Sequence, residues 1–199
     1  MITRKIIGWI LSILFLFVIM QSQYILAASK IDDNFFKQNF NGSILVAKEG
    51  KILFRKGYGM ADIEKHVPNT PSTILRIGSL TKQFTAMAIL ILEEQGKLST
   101  KDPISKYIPS YPNGDKITLH NLLTHTSGIA EYLTPEVYQN PPNHYCSPEN
   151  LISMFKNKPL NFPTGKSFRY SNSNYILLGY IIQKVSGVKY EDFVRKKNT

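Results

Sequence analysis

Ser79-Leu-Thr-Lys82 sets a hydroxyl and an amine three residues apart. On a helix, positions three apart share a face, so the amine can lie beside the hydroxyl. A serine is a weak nucleophile until a base takes its proton. An ordinary lysine is charged at neutral pH, but burial disfavours an ammonium, and a lysine at the base of an apolar helix can then accept that proton. Lys82 is therefore read as the first proton acceptor for Ser79. The start of a helix also offers unpaired N–H groups and the positive end of the dipole to a developing oxyanion. The chemistry that fits is acyl transfer through a serine.

The spacing alone is not specific, because Ser153-Met-Phe-Lys156 and Ser186-Gly-Val-Lys189 repeat it. Context separates the three. Ser186 belongs to a Ser-Gly helix stop, Ser153 sits on a weak helix expected to be exposed, and Ser79 alone opens a long apolar helix. A plain N-cap role suits Ser79 equally well at this level. The second constellation is Tyr170-Ser-Asn172. A tyrosine sharing a proton with a nearby lysine can relay it to a leaving group, and an asparagine amide can orient a substrate amide and bond the lysine. Tyr111-Pro-Asn113 and Tyr138-Gln-Asn140 match the same pattern but are read as proline turns. A core tyrosine with its hydroxyl satisfied is the plain alternative for Tyr170.

The remaining reactive side chains point elsewhere. His125, in Leu122-Leu-Thr-His-Thr-Ser-Gly128, reads as a packed, hydrogen-bonded structural residue. His66, His120 and His144 lack metal-site spacing, so neither a metal nor a cofactor is expected. No glycine loop of the phosphate-binding kind is present. Cys146 is the only cysteine, which rules out an internal disulfide, and its neighbours place it in a loop.

Several elements must position these groups. Gly42–Lys48 and Lys51–Tyr58 read as two strands of a hairpin around Glu49-Gly50. Residues 79–95 read as a helix, and Thr85 to Leu92 is so uniformly apolar that the helix is expected to be buried on every side, with Gly96 as its stop. Residues 118–123 form a short helix, residues 131–149 a loop, and residues 148–155 a weak helix. Residues 175–185 form a second strong apolar helix stopped at Ser186-Gly187. No repeat or linker interrupts the chain.

The N-terminus carries a targeting plan: Arg4 and Lys5, an apolar run over residues 6–20, then Ala27-Ala-Ser29. Residues 1–28 are read as a signal peptide or an uncleaved membrane anchor, and residues 29–199 as one partial domain. Export is the expected destination, secreted or anchored on the outer face. Net charge is +10, from 24 basic and 14 acidic residues. The basic residues are scattered rather than striped with aromatics, so nucleic acid is not an expected partner, and a solvated surface or attraction to membrane or cell wall fits better.

Together, four ordered blocks resemble the serine β-lactamase-like and penicillin-binding protein family, in the branch of class C β-lactamases and D-Ala-D-Ala carboxypeptidases. The blocks are Ile77-Gly-Ser-Leu-Thr-Lys-Gln-Phe-Thr-Ala86; Glu94-Gln-Gly-Lys-Leu98 with Asp102-Pro-Ile-Ser-Lys-Tyr-Ile-Pro109; Ile117-Thr-Leu-His-Asn-Leu-Leu-Thr-His-Thr-Ser-Gly-Ile129; and Phe168-Arg-Tyr-Ser-Asn-Ser-Asn-Tyr-Ile-Leu-Leu-Gly179, continuing to Val185-Ser-Gly187. The resemblance implies an α+β fold of the β-lactamase/transpeptidase type, here the N-terminal hairpin and the helical half without the late sheet strands. It implies Ser79 as nucleophile, Lys82 and Tyr170 as proton carriers, and Asn172 as the substrate-binding residue. The substrate it implies is a small molecule or peptidoglycan-type D-alanyl peptide, a β-lactam or an ester, cleaved through an acyl-enzyme.

The family's third motif, a Lys- or His-headed triplet ending in Gly on a late strand, has no match in this sequence. The chain is accordingly expected to be a truncation, a fragment or a disrupted reading frame. The alternatives to an acting hydrolase are a non-catalytic remnant or binding protein of the same family, and a membrane-anchored interaction protein.

Overall fold

The computed structural model describes residues 36–38, 40–140 and 146–197. The expected leader, residues 1–28, lies outside these, as does His144. The chain divides into two compact units, one running to Arg76 and one from Ile77.

In the first unit, β1 (Gly42–Lys48) and β2 (Lys51–Tyr58) pair antiparallel from Gly42 opposite Tyr58 to Lys48 opposite Lys51. Glu49 and Gly50 both take positive φ, 51° and 74°, the backbone twist that closes a two-residue hairpin between right-twisted strands. The hairpin thus has the boundaries expected of it. Tyr58 is buried, with the rings of Phe36 and Phe40 at 5.8 and 6.3 Å between centroids. Two short strands that hydropathy does not signal, β3 (Met60–Asp62) and β4 (Val67–Pro68), make a second ladder. Asn69 is buried beside it and donates from Nδ2 to the Tyr58 carbonyl and to Asn41 Oδ1, both at 2.9 Å. Gly57 faces the Asn69 carbonyl so closely that a Cβ there would lie 2.3 Å from the oxygen.

The second unit is helical. A 3-10 turn, Gly78–Leu80, leads into α1 (Thr81–Glu94), which ends at Gln95 with Gly96 at φ 67°. Ser79 therefore sits on the 3-10 turn ahead of the α-helix rather than on its first residue. Next come α2 (Leu119–Leu123), α3 (Pro135–Gln139) and α4 (Pro148–Ser153). The last two are α5 (Asn172–Ser186), stopped by Gly187 at φ 74°, and α6 (Tyr190–Lys197). Helix α2 begins with a capping box, in which Thr118 accepts the Asn121 N–H and Asn121 Oδ1 accepts the Thr118 N–H. Helix α3 falls where a loop is expected, and Tyr138 lies on it rather than in a proline turn. The Thr134-Pro135-Glu136 start, an N-cap followed by Pro at the first position and an acid in the first turn, is its local signal.

The core gathers Ile89 and Leu92 of α1, Leu119 and Leu122 of α2, and Leu177, Leu178, Ile181 and Ile182 of α5, all fully buried. Each such side chain contributes roughly 1.5–3 kcal/mol relative to exposure, so α5, which packs on α1, α2, α4 and α6, is the spine of this unit. Asp102 holds the 99–107 segment together, accepting from Ser99 N, Lys106 Nζ and Tyr107 Oη. Helix α1 departs from expectation. Thr85, Ala88, Ile89 and Leu92 are buried, but Met87 and Leu90 are 51 and 48% exposed, and Leu80 on the preceding 3-10 turn is 64% exposed. The described residues cover one face of the helix only, so its apolar content does not mean burial all round. Among the described residues no helix is long and apolar enough to cross a membrane.

Candidate active site

One backbone reversal and one extended segment deliver the reactive groups. Gly78, at φ 53°, turns the chain into the 3-10 turn that carries Ser79, and one turn later Lys82 lies on the same side. Across from them, Ser171, extended at φ −145°, leads from Tyr170 into the first turn of α5, which begins three residues earlier than its apolar pattern suggests and so takes in Asn172.

The four side chains singled out from the sequence meet there. Ser79 Oγ lies 2.8 Å from Tyr170 Oη and accepts from Lys82 Nζ at 3.2 Å. Lys82 Nζ also donates to Asn172 Oδ1 at 2.7 Å, and Tyr170 Oη reaches the same oxygen at 3.3 Å. The ammonium stands 4.8 Å from the Tyr170 ring centroid and 5.5 Å from that of Tyr175, over aromatic faces that favour a cation. Burial pushes the Tyr170 phenol up, but hydrogen bonds to Lys82 and Ser79 and the lysine charge outweigh it. The net direction is below the ordinary tyrosine value. The hydroxyl beside Ser79 is thus a better proton carrier than a free tyrosine.

The other two Ser-x-x-Lys matches are not assembled this way. Ser153 Oγ donates to the Asn150 carbonyl at 2.6 Å, and Ser186 Oγ bonds around its own helix stop to Val188. Of the competing Tyr-x-Asn matches, Tyr111 is core and Tyr138 is 75% exposed.

Residues 125–132 form a cradle under the Tyr170 loop and the start of α5. His125, itself at φ 57°, stacks on the Tyr170 ring at 4.6 Å between centroids, and its Nδ1 accepts the Ser171 N–H at 3.2 Å. That acceptor role puts the neutral ring's proton on Nε2. Burial, with the nearby Lys82 charge, holds its pKa below the ordinary histidine value. The structural reading of His125 agrees with this placement. Ser127 donates to Asn174 Oδ1 at 2.8 Å. Ser173 Oγ donates to the Ala130 carbonyl at 2.7 Å and accepts the Tyr132 N–H at 2.9 Å. Glu131 Oε2 accepts both the backbone N–H and the side-chain amide of Asn172. Sequence reasoning passed over Ser127, Glu131, Ser173 and Asn174. Their partners are 41 to 47 residues away, and no local spacing announces such pairs.

A cavity of about 480 Å³ opens beside Ser79 and Lys82, walled largely by Tyr132, Leu151, Tyr175, Ile176 and Tyr180. That is within the range of small-ligand sites. Ser79, Lys82 and Asn172 border it. No group of three His, Cys, Asp or Glu side chains placed to hold a metal occurs among the described residues.

The beta-lactamase family model matches residues 31–199. The PbpX protein of Bacillus subtilis (strain 168) is 40% identical over 163 residues, 81% of this chain and 40% of that protein. A teichoic acid D-alanine hydrolase of Staphylococcus aureus (strain MRSA252) is 34% identical over 163 residues, 82% of this chain and 39% of that protein. Among solved structures, FmtA from Staphylococcus aureus superposes with a TM-score of 0.74 at 31% identity, covering 85% of this chain and 45% of that one. The chain thus spans about two fifths of the length of the relatives it matches. With the family model matched over residues 31–199 and the fold over most of the chain, this chain belongs to the beta-lactamase family.

Proposed function

We propose that the chain is a serine acyl-transfer hydrolase that cleaves D-alanyl esters or peptides, or a β-lactam ring, through an acyl-enzyme on Ser79. One observation carries this reading: Ser79 Oγ is held at once by Tyr170 Oη and Lys82 Nζ, and the lysine is held in turn by Asn172. A nucleophile touching a proton carrier that is itself oriented is the arrangement such chemistry needs.

Ser79 Oγ attacks the substrate carbonyl as its proton passes to the Lys82–Tyr170 pair. Tyr170 Oη is the nearer of the two and receives the proton from its phenolate form, which the lysine charge opposite favours. Collapse of the tetrahedral intermediate breaks the C–O or C–N bond, and the leaving group takes the proton back from the pair. Water then attacks the acyl-enzyme, giving the same pair its proton, and the free acid departs as Ser79 is reprotonated. Asn172 serves the substrate amide and the lysine. The D-alanyl substrate class is supported by the likeness to the teichoic acid D-alanine hydrolase of Staphylococcus aureus, and the basic leader followed by an apolar run supports export to the cell surface, where such substrates lie.

A second reading, acylation or binding without turnover, is favoured by the exposed apolar side chains of Leu80 on the 3-10 turn and of Met87 and Leu90 on α1. Intact-mass measurement with benzylpenicillin, on the wild type, Ser79→Ala and Ser153→Ala, separates the readings. A gain of one ligand mass in the wild type and Ser153→Ala but not in Ser79→Ala is the expected result, with decay of the adduct marking turnover and its persistence marking the second reading. An adduct that survives Ser79→Ala sinks the assignment of the nucleophile.

A further inference from the structure

We propose that Glu131 is a positioning residue: its carboxylate fixes which end of the Asn172 amide faces Lys82. The inference rests on the reading of Ser79, Lys82, Tyr170 and Asn172 given above and extends it to a residue that no motif contains.

The two ends of an asparagine amide are nearly the same shape and opposite in hydrogen bonding, one an acceptor and the other a donor of two protons. The Lys82 ammonium can only donate, so the amide is useful to it in one orientation and repulsive in the other. The Lys82 contact at 2.7 Å and the Tyr170 hydroxyl at 3.3 Å both demand the oxygen. On the far side of the amide stands Glu131, and an ionised carboxylate only accepts. Its Oε2 takes the Asn172 side-chain N–H at 3.2 Å and the Asn172 backbone N–H as well. A flipped amide would therefore place oxygen against carboxylate and NH₂ against ammonium at the same time.

The carboxylate is held in its own turn. Its other oxygen, Oε1, accepts the Leu133 N–H at 2.8 Å. The loop that carries it is tied to three consecutive residues of α5. Asn172 meets Glu131, Ser173 meets Ala130 and Tyr132, and Asn174 meets Ser127. Glu131 cannot drift without breaking this register. A carboxylate over the first turn of a 15-residue helix is also on the favourable side of its dipole. That second effect would make Glu131 structural only, so the test must tell the two apart.

The test follows acylation of the full chain by benzylpenicillin, with intact mass read against time, for the wild type, Glu131→Ala, Glu131→Gln, Asn172→Ala and the double variant Glu131→Ala/Asn172→Ala. Misplacing a reacting group by about 1 Å costs about 10²-fold, and Glu131→Ala is expected to slow acylation by that order. Glu131→Gln keeps an oxygen for Asn172 while turning an NH₂ toward Leu133, and is expected to lose less than about 10-fold, because only one of its contacts reverses. In the Asn172→Ala background, Glu131→Ala is expected to cost no more than about 3-fold further, since residues acting through one another are not additive.

A loss of the same size in both backgrounds, or a folded Glu131→Ala that acylates at the wild-type rate, overturns the inference. If Glu131→Ala does not fold by circular dichroism, the cycle is run with Glu131→Gln, whose smaller loss must vanish in the same way. Absence of acylation in the wild type overturns the parent reading instead. Glu131 is then judged by the Asn172 side-chain amide resonances in proton–nitrogen spectra, identified by their loss in Asn172→Ala. They must shift upfield in Glu131→Gln, and resonances that stay in place reject the role.

Discussion

Tyr170→Phe removes one oxygen and leaves everything else in the site standing. The ring still stacks on His125 at 4.6 Å and still offers its face to Lys82. The contacts from Oη, to Ser79 at 2.8 Å and to Asn172 at 3.3 Å, are lost. If Tyr170 carries the proton of Ser79, its loss removes general acid–base catalysis, worth about 10²–10⁴ in rate, which is roughly 2.7–5.4 kcal/mol of barrier at 1.36 kcal/mol per tenfold. The cost to folding is of a different order. A neutral hydrogen bond contributes about 1 kcal/mol when buried, and Tyr170 is 45% exposed, so the discount is large. The variant should thus melt close to the wild type while acylating at least a hundredfold more slowly, an estimate that follows from the same catalytic range. The pH profile adds a check that does not depend on absolute rate. With the phenol pKa held below its ordinary value of 10.0, wild-type acylation should rise with pH through an ionisation below that value, and Tyr170→Phe should lack that limb. Acylation within about threefold of the wild type, too little for a lost general base, would refute the role of Tyr170 and leave Lys82 as the sole proton acceptor.

Three further outcomes follow from the packing. His125 prefers its neutral form when folded, so its contribution to stability is present above the ordinary value of 6.5 and is lost as pH falls below it; His125→Asn, a residue that tolerates positive φ and does not titrate, should flatten the fall in melting temperature on the acid side, and equal slopes would reject this. Gly57→Ala should destabilise the first unit by roughly 1–3 kcal/mol through forced separation from the Asn69 carbonyl, seen as faster hydrogen exchange in β1 and β2, and unchanged exchange would mean that the close approach is not needed. Ser171 is an N-cap whose buried hydroxyl has no partner among the described residues, so Ser171→Ala should leave stability unchanged or raise it by about 1 kcal/mol, against the usual loss at such a position; a drop in melting temperature would show that the hydroxyl is satisfied in solution.

Legibility from sequence followed the range of the interaction. The hairpin was readable because its signal is local: alternating strands around Glu49-Gly50, where two positive φ values are needed in neighbouring residues. The helix stops at Gly96 and Gly187 were readable for the same reason. Ser79 and Lys82 face one another because three residues of helical winding put them there, and that proximity could be foreseen. Tyr170 is 91 residues from Ser79, and only a family pattern could join the two. Burial was the weaker inference. The run Ala86 to Leu92 is apolar, yet what covers a helix is decided by its neighbours, and α1 meets α5 and α6 on one side while Met87 and Leu90 face outward. Glu131 marks the far limit. Its charge gives no periodicity and completes no spaced motif, and its meaning comes wholly from the amide of Asn172 on another element. Residues that hold the reactive groups by a contact or two, from loops distant in sequence, are the part of such a site that a single chain cannot disclose before it is folded.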